Sequence, residues 1–141
     1  MTELNPILLK PHYGWSRFCI GDFSFPVFYL NDTPQDFINA LTYVIKNNLS
    51  AVVELDGEGI ECIVVFCPYA GIYTIINNSD NNTLDNKIET RYFDIDIKGV
   101  AKQFIKDIED YKELWANWQS LGEEEFKKYY NLSELKILVD A

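Results

Sequence analysis

Ala51-Val52-Val53-Glu54-Leu55-Asp56-Gly57-Glu58-Gly59-Ile60-Glu61-Cys62-Ile63-Val64-Val65-Phe66 reads as two strands joined by the turn Asp56-Gly57-Glu58-Gly59. β-Branched residues dominate both runs, and the polar, glycine-containing stretch between them is too short for anything but a hairpin connection. Pro68 and the pair Ala70-Gly71 break the chain, and Ile72-Tyr73-Thr74-Ile75-Ile76 reads as the next strand. Asn77 to Asn82 is a polar loop. From Ile88 to Ile97 a further strand is expected, because Phe93, Ile95 and Ile97 alternate with Tyr92, Asp94 and Asp96. Its even-numbered face should meet solvent or a partner.

Working outward from this centre, Thr33 suits an N-cap, Pro34 the first helical position, and Asp36 the favourable third position. Phe37, Leu41, Val44 and Ile45 then share a helix face, with Ile38 and Ala40 beside them, and Asn47-Asn48 ends the helix. Upstream, Trp15 to Ile20 and Phe23 to Leu30 flank Gly21-Asp22, a two-residue turn with glycine first. Pro26 cannot donate to a ladder, which places its strand at an edge or on a bulge. Downstream, Val100, Phe104, Ile108, Tyr111, Trp115 and Trp118 form one helical stripe, closed by Leu121-Gly122. Glu123-Glu124-Glu125 fits the start of another helix carrying Phe126, Tyr129 and Tyr130. Ser133 can cap a last short helix through Leu135 and Leu138.

The order is β-β-α-β-β-β-β-α-α. With tight turns between most strands, the expected fold is α+β: a mainly antiparallel sheet of about five to six strands with helices on one face. No repeat or linker divides the chain, so residues 1–141 form a single domain.

The 141 residues are 48% apolar and 15% aromatic, which supports a packed core. Against 12 basic side chains stand 22 acidic ones, a formal net charge of −10. A field of that sign repels phosphate backbones and anionic lipid heads and attracts basic partners. Direct binding to nucleic acid or a membrane is therefore not expected. The opening Met1-Thr2-Glu3-Leu4-Asn5-Pro6 has no basic n-region and no apolar h-region, and no apolar run approaches ~18 residues. Cys19, Cys62 and Cys67 sit among apolar neighbours and read as reduced core residues. A cytoplasmic location is the expectation.

Little in the chain supports chemistry. His12 is the sole histidine, and its conceivable partner Cys19 reads as strand interior. Asp94 and Asp96, about 7 Å apart on an extended strand, could hold a metal or divide acid and base roles, but no third ligand lies nearby. The loop from Asn78 to Glu89 offers oxygen ligands at calcium-loop spacing. It has Thr83 where such loops need glycine, and strands flank it. No phosphate-cradling glycine motif occurs. Trp115 and Trp118 lack the positive charge that a base-stacking platform needs beside it. No cofactor and no metal are expected.

The acidity is clustered instead. Glu54, Asp56, Glu58 and Glu61 crowd the central hairpin; Asp107, Asp110 and Glu113 follow the long helix. Like charges on one hairpin cost stability, so such clusters point to a cationic partner or to a solvated turn. With the hairpin Gly14-Trp15-Ser16-Arg17-Phe18-Cys19-Ile20-Gly21-Asp22-Phe23 and the segment Glu113-Leu114-Trp115-Ala116-Asn117-Trp118, this small acidic α+β chain resembles the immunity proteins of bacterial polymorphic toxin systems, including contact-dependent growth inhibition. The resemblance implies a cognate toxin domain as partner, a basic nuclease whose active site is covered by carboxylates standing in for phosphates. The residues expected to make contact are Glu54, Asp56, Glu58, Glu61, Asp107, Asp110 and Glu113. An adaptor or ligand-binding module, and a small enzyme built on Asp94 and Asp96, are the rival expectations.

Overall fold

In a computed structural model, described for residues 5–79, 86–119 and 127–141, the chain forms six strands and four helices. In chain order these are β1 (Trp15–Ile20), β2 (Phe23–Phe28), α1 (Thr33–Asn47), β3 (Ala51–Asp56), β4 (Glu61–Cys67), β5 (Gly71–Ser79), β6 (Asn86–Phe93), α2 (Ile97–Asp110), α3 (Lys112–Ala116) and α4 (Ser133–Asp140). All strand pairs are antiparallel. β1 and β2 form one sheet, and β3-β4-β5-β6 form a second, four-stranded meander. The expected α+β class and element order are those observed.

Gly21 alone takes a positive φ (55°) in the two-residue connection between β1 and β2, as a turn with glycine first requires. Glu58 and Gly59 both take positive φ between β3 and β4, and Gly57 N–H closes that turn on the Ile60 carbonyl at 2.8 Å. Gly71 permits a close approach: a Cβ there would lie 2.2 Å from the Phe93 carbonyl oxygen on β6. Asn48 ends α1 in the left-handed region, its N–H bonded to the Val44 carbonyl at 2.9 Å.

Strand alternation gives the four-stranded sheet an inner face of Val53, Leu55, Cys62, Val64, Phe66, Ile72, Thr74 and Phe93, all buried. α1 and the β1–β2 hairpin cover it, and α2 and α4 pack against α1. Phe37 of α1 is the hub: its ring lies 5.6–5.7 Å from those of Phe18, Phe66 and Phe104, joining hairpin, sheet and α2. β2 crosses the sheet from β6, where Phe23 meets Phe93 at 5.9 Å, to the β3–β4 turn, where Phe25 and Pro26 crowd Gly57.

Three local expectations are corrected. β6 stops at Phe93, and Asp96 caps α2 through a 3.1 Å bond from Gly99 N–H, so Asp94 and Asp96 are not a strand-borne pair. The aromatic stripe is broken at Tyr111 (φ −129°, ψ 40°), which separates α2 from α3. Thr33 does not cap α1: it is the first helical residue, with Asp32 in the N-cap position and no side-chain cap hydrogen bond. The N-terminal stretch, for which the sequence suggests no element, is ordered on the hairpin. Leu9 N–H donates to the Arg17 carbonyl and Cys19 N–H to that of Ile7, so residues 7–9 line the free edge of β1. Leu121-Gly122, Glu123 to Glu125 and most of the polar loop read for calcium lie outside the described residues. No helix among the described residues is long and apolar enough to cross a membrane.

Candidate docking face and its acidic rim

The described helices pack on one side of the four-stranded sheet, and the other side is where the hairpin carboxylates lie. The registers align Val52, Val65, Tyr73 and Tyr92 in one cross-strand row, and Glu54, Ile63, Ile75 and Thr90 in the next. Asp56, Glu61, Asn77 and Ile88 make the third row. Most of these side chains are apolar, yet all are exposed or only half-buried. An uncovered patch of Val, Ile and Tyr with charge at its border has the composition of a protein–protein interface: apolar centre, polar rim. No lysine or arginine occurs in these three rows.

The seven candidate contact residues divide by environment. Glu54, Glu58 and Glu61 are exposed and Asp56 half-exposed, and no cationic side chain pairs with any of the four among the described residues. Asp56 does cap its own turn, accepting a 2.8 Å bond from Glu58 N–H. Three of the four (Glu54, Asp56 and Glu61) stand on the outer face, and Glu58 is in the turn beyond it.

The helix carboxylates are already engaged by this chain. Asp110 pairs with Lys106 at 2.5 Å. Glu113 accepts a 2.7 Å bond from the Tyr129 hydroxyl and lies 3.6 Å from Lys127. The Tyr129 hydroxyl, aided by Lys127, holds the Glu113 carboxyl below its ordinary value. Asp107 is 5% exposed and leaves the set of surface contacts. Its Oδ2 accepts from Ile7 N–H at 2.6 Å and Leu8 N–H at 3.1 Å, and its Oδ1 from Gln103 Nε2 at 2.9 Å. Its spacing put it on the stripe of Asp110 and Glu113, but the N-terminal arm occupies it. The structure therefore gathers the hairpin carboxylates onto one face and leaves the helix carboxylates in another layer.

Trp115 and Trp118 are buried, and Trp118 Nε1 donates to the Asn31 carbonyl at 3.3 Å, so neither offers a stacking surface. Burial pushes the Cys62 thiol up to about 11, the behaviour of an inert core cysteine. His12 is exposed and closes the turn onto Trp15 through two backbone bonds. A cavity of about 320 Å³ lies where the end of α1, the β4–β5 turn and the β6–α2 link meet, with Asp94 and Asp96 at its wall and Val44 and Ile95 among its apolar lining.

Sequence reasoning found the acidic hairpin but not the apolar face beside it. The signal was present in Ile63-Val64-Val65-Phe66 and Ile72-Tyr73-Thr74-Ile75-Ile76, which are apolar at both parities, whereas a strand with one solvated face alternates. No family model matches the chain, and neither a curated protein nor a solved structure matches it.

Proposed function

We propose that the chain is a toxin-neutralising immunity protein, whose outer sheet face docks on a basic toxin domain, a nuclease, and blocks its active site. The observation that carries the reading is the run of carboxylates Glu54, Asp56, Glu58 and Glu61, which among the described residues pair with no cation and border an apolar sheet face that no described helix covers. Carboxylates without a paired cation retain their field, and that field steers a cationic partner toward the adjoining apolar patch. The apolar centre then supplies what a rim of charges cannot, since exposed ion pairs contribute little once salt is present.

The test is co-expression with the product of the upstream gene, followed by capture and by association kinetics over a series of salt concentrations. Asp56→Lys with Glu58→Lys should slow association about tenfold at low salt and flatten its salt dependence, leaving dissociation little changed. Kinetics identical to wild type at every salt concentration would remove the hairpin from the interface. Isolation of the native chain with a bound metabolite or metal, and without any polypeptide, would overturn the reading itself.

A further inference from the structure

The outer face has a second feature at the end opposite its acidic turn. Tyr73 and Tyr92 are direct cross-strand partners on β5 and β6, with ring centroids 4.8 Å apart and planes tilted by 40°. They are 37% and 47% exposed, so ring surface is open to solvent on the uncovered side of the sheet. The Tyr92 hydroxyl donates to the Ala70 carbonyl at 2.6 Å, which pins the ring at its far end. Tyr69, the residue before Ala70, is 91% exposed on the same turn. Beyond Tyr92 the alternation of burial continues through Phe93 and Ile95, leaving Asp94 exposed between them. Among the described residues Asp94 forms no salt bridge, and it lines one cavity with Tyr69 and Ala70, the residue whose carbonyl holds the Tyr92 hydroxyl.

We propose that Tyr73, Tyr92 and Asp94 form a receptor for one arginine side chain presented by a partner protein. This deepens the docking reading above and rests on it for the source of the arginine. A guanidinium is planar and weakly hydrated, so it stacks on an aromatic face while its N–H groups point in-plane to a carboxylate. The paired rings, held by a backbone hydrogen bond, pay little entropy to receive it. Val65, beside Tyr73 in the same row, and Ile75, two residues along β5, supply the apolar surround in which such an anchor gains most. An ammonium, compact and strongly hydrated, profits less from the same site. The acidic turn thus attracts the partner, and the tyrosine pair fixes where one of its arginines sits.

The probe is the blocked tripeptide acetyl-Ala-Arg-Ala-amide, titrated into the full chain while the tyrosine ring resonances are followed by NMR. Peptides with lysine and with citrulline in place of arginine serve as comparisons. The expected result is a saturable shift of the Tyr73 and Tyr92 signals, with arginine bound about fivefold more tightly than citrulline and more tightly than lysine. Asp94→Asn should weaken arginine binding about fivefold, and Tyr73→Leu should abolish it, with unchanged circular dichroism confirming the fold. Equal binding of arginine and citrulline, or no saturable shift, would overturn the site. The two readings fail separately. A captured toxin whose affinity ignores Asp94→Asn removes the arginine site alone; an arginine peptide bound to a chain that no toxin recognises removes the immunity reading alone.

Discussion

Two backbone N–H groups of the N-terminal arm end on one oxygen of Asp107, and burial of that carboxyl raises its pKa even though three hydrogen bonds oppose the rise. A carboxyl with a raised folded pKa binds more protons folded than unfolded. The stability it contributes is therefore present at acid pH and is lost as pH climbs from the ordinary value of about 3.9 through the raised one. In Asp107→Asn the amide oxygen still accepts from Ile7 and Leu8 while the proton equilibrium is gone. Urea unfolding of both proteins across that window should show wild type losing ground to the asparagine variant as pH rises. A difference independent of pH, or one of opposite slope, would refute the assignment. Asp107→Ala, which strands both N–H groups, should cost about 3 kcal/mol at the acid end of that window and less above it, where wild type has lost the contribution of the bound proton. The acidic stripe was legible in the sequence, but this use of it was not. Ile7-Leu8-Leu9 between two prolines gives no strand pattern, and only the fold brings it to α2.

Elements were legible wherever local chemistry ends them, and illegible where a distant partner does. Gly21, Asn48 and the Gly57–Ile60 turn act through their own backbone, so hairpins and the end of α1 lie where the residues place them. β6 is different. Its alternation runs on through Asp94, Ile95 and Asp96, but the ladder ends because Phe93 pairs with Ile72 and β5 begins at Gly71. The extended residues beyond have no strand to bond, and Asp96 turns to capping. The same limit hid the docking face, since which side of a sheet the helices leave bare depends on packing far from the strands. Asp96→Ala should cost about 1 kcal/mol through loss of the cap, seen as a lower unfolding midpoint in urea. An unchanged midpoint would mean that the carboxylate does nothing for α2. The variant leaves Tyr92 and Asp94 in place, so its arginine binding should match wild type, separating helix capping from the receptor one turn away.

At the scale of the molecule, a net charge of −10 and an uncovered apolar sheet face are opposing tendencies on one surface. Two copies brought face to face would bury valine, isoleucine and tyrosine. They would also bring together two rims of Glu54, Asp56, Glu58 and Glu61, none of them paired with a cation among the described residues. Repulsion between like rims acts over roughly the Debye length, about 10 Å at 0.1 M salt and about 3 Å at 1 M. Salt should therefore release the apolar attraction, and sedimentation equilibrium should show the average mass rising between those concentrations. Val52→Lys, on an exposed edge of the same face, should suppress the rise, because a lysine there cannot be buried against its own copy without cost. Asp56→Lys with Glu58→Lys should instead move the rise to lower salt, since opposite charges then meet across the two rims. A mass constant to 1 M salt, or a rise indifferent to Val52→Lys, would place the attraction elsewhere and deny the face its role. The partner that this face is suited to is one that brings the missing cations: it meets the rim as a counter-charge and the centre as a dry surface, which a second copy of the chain cannot do.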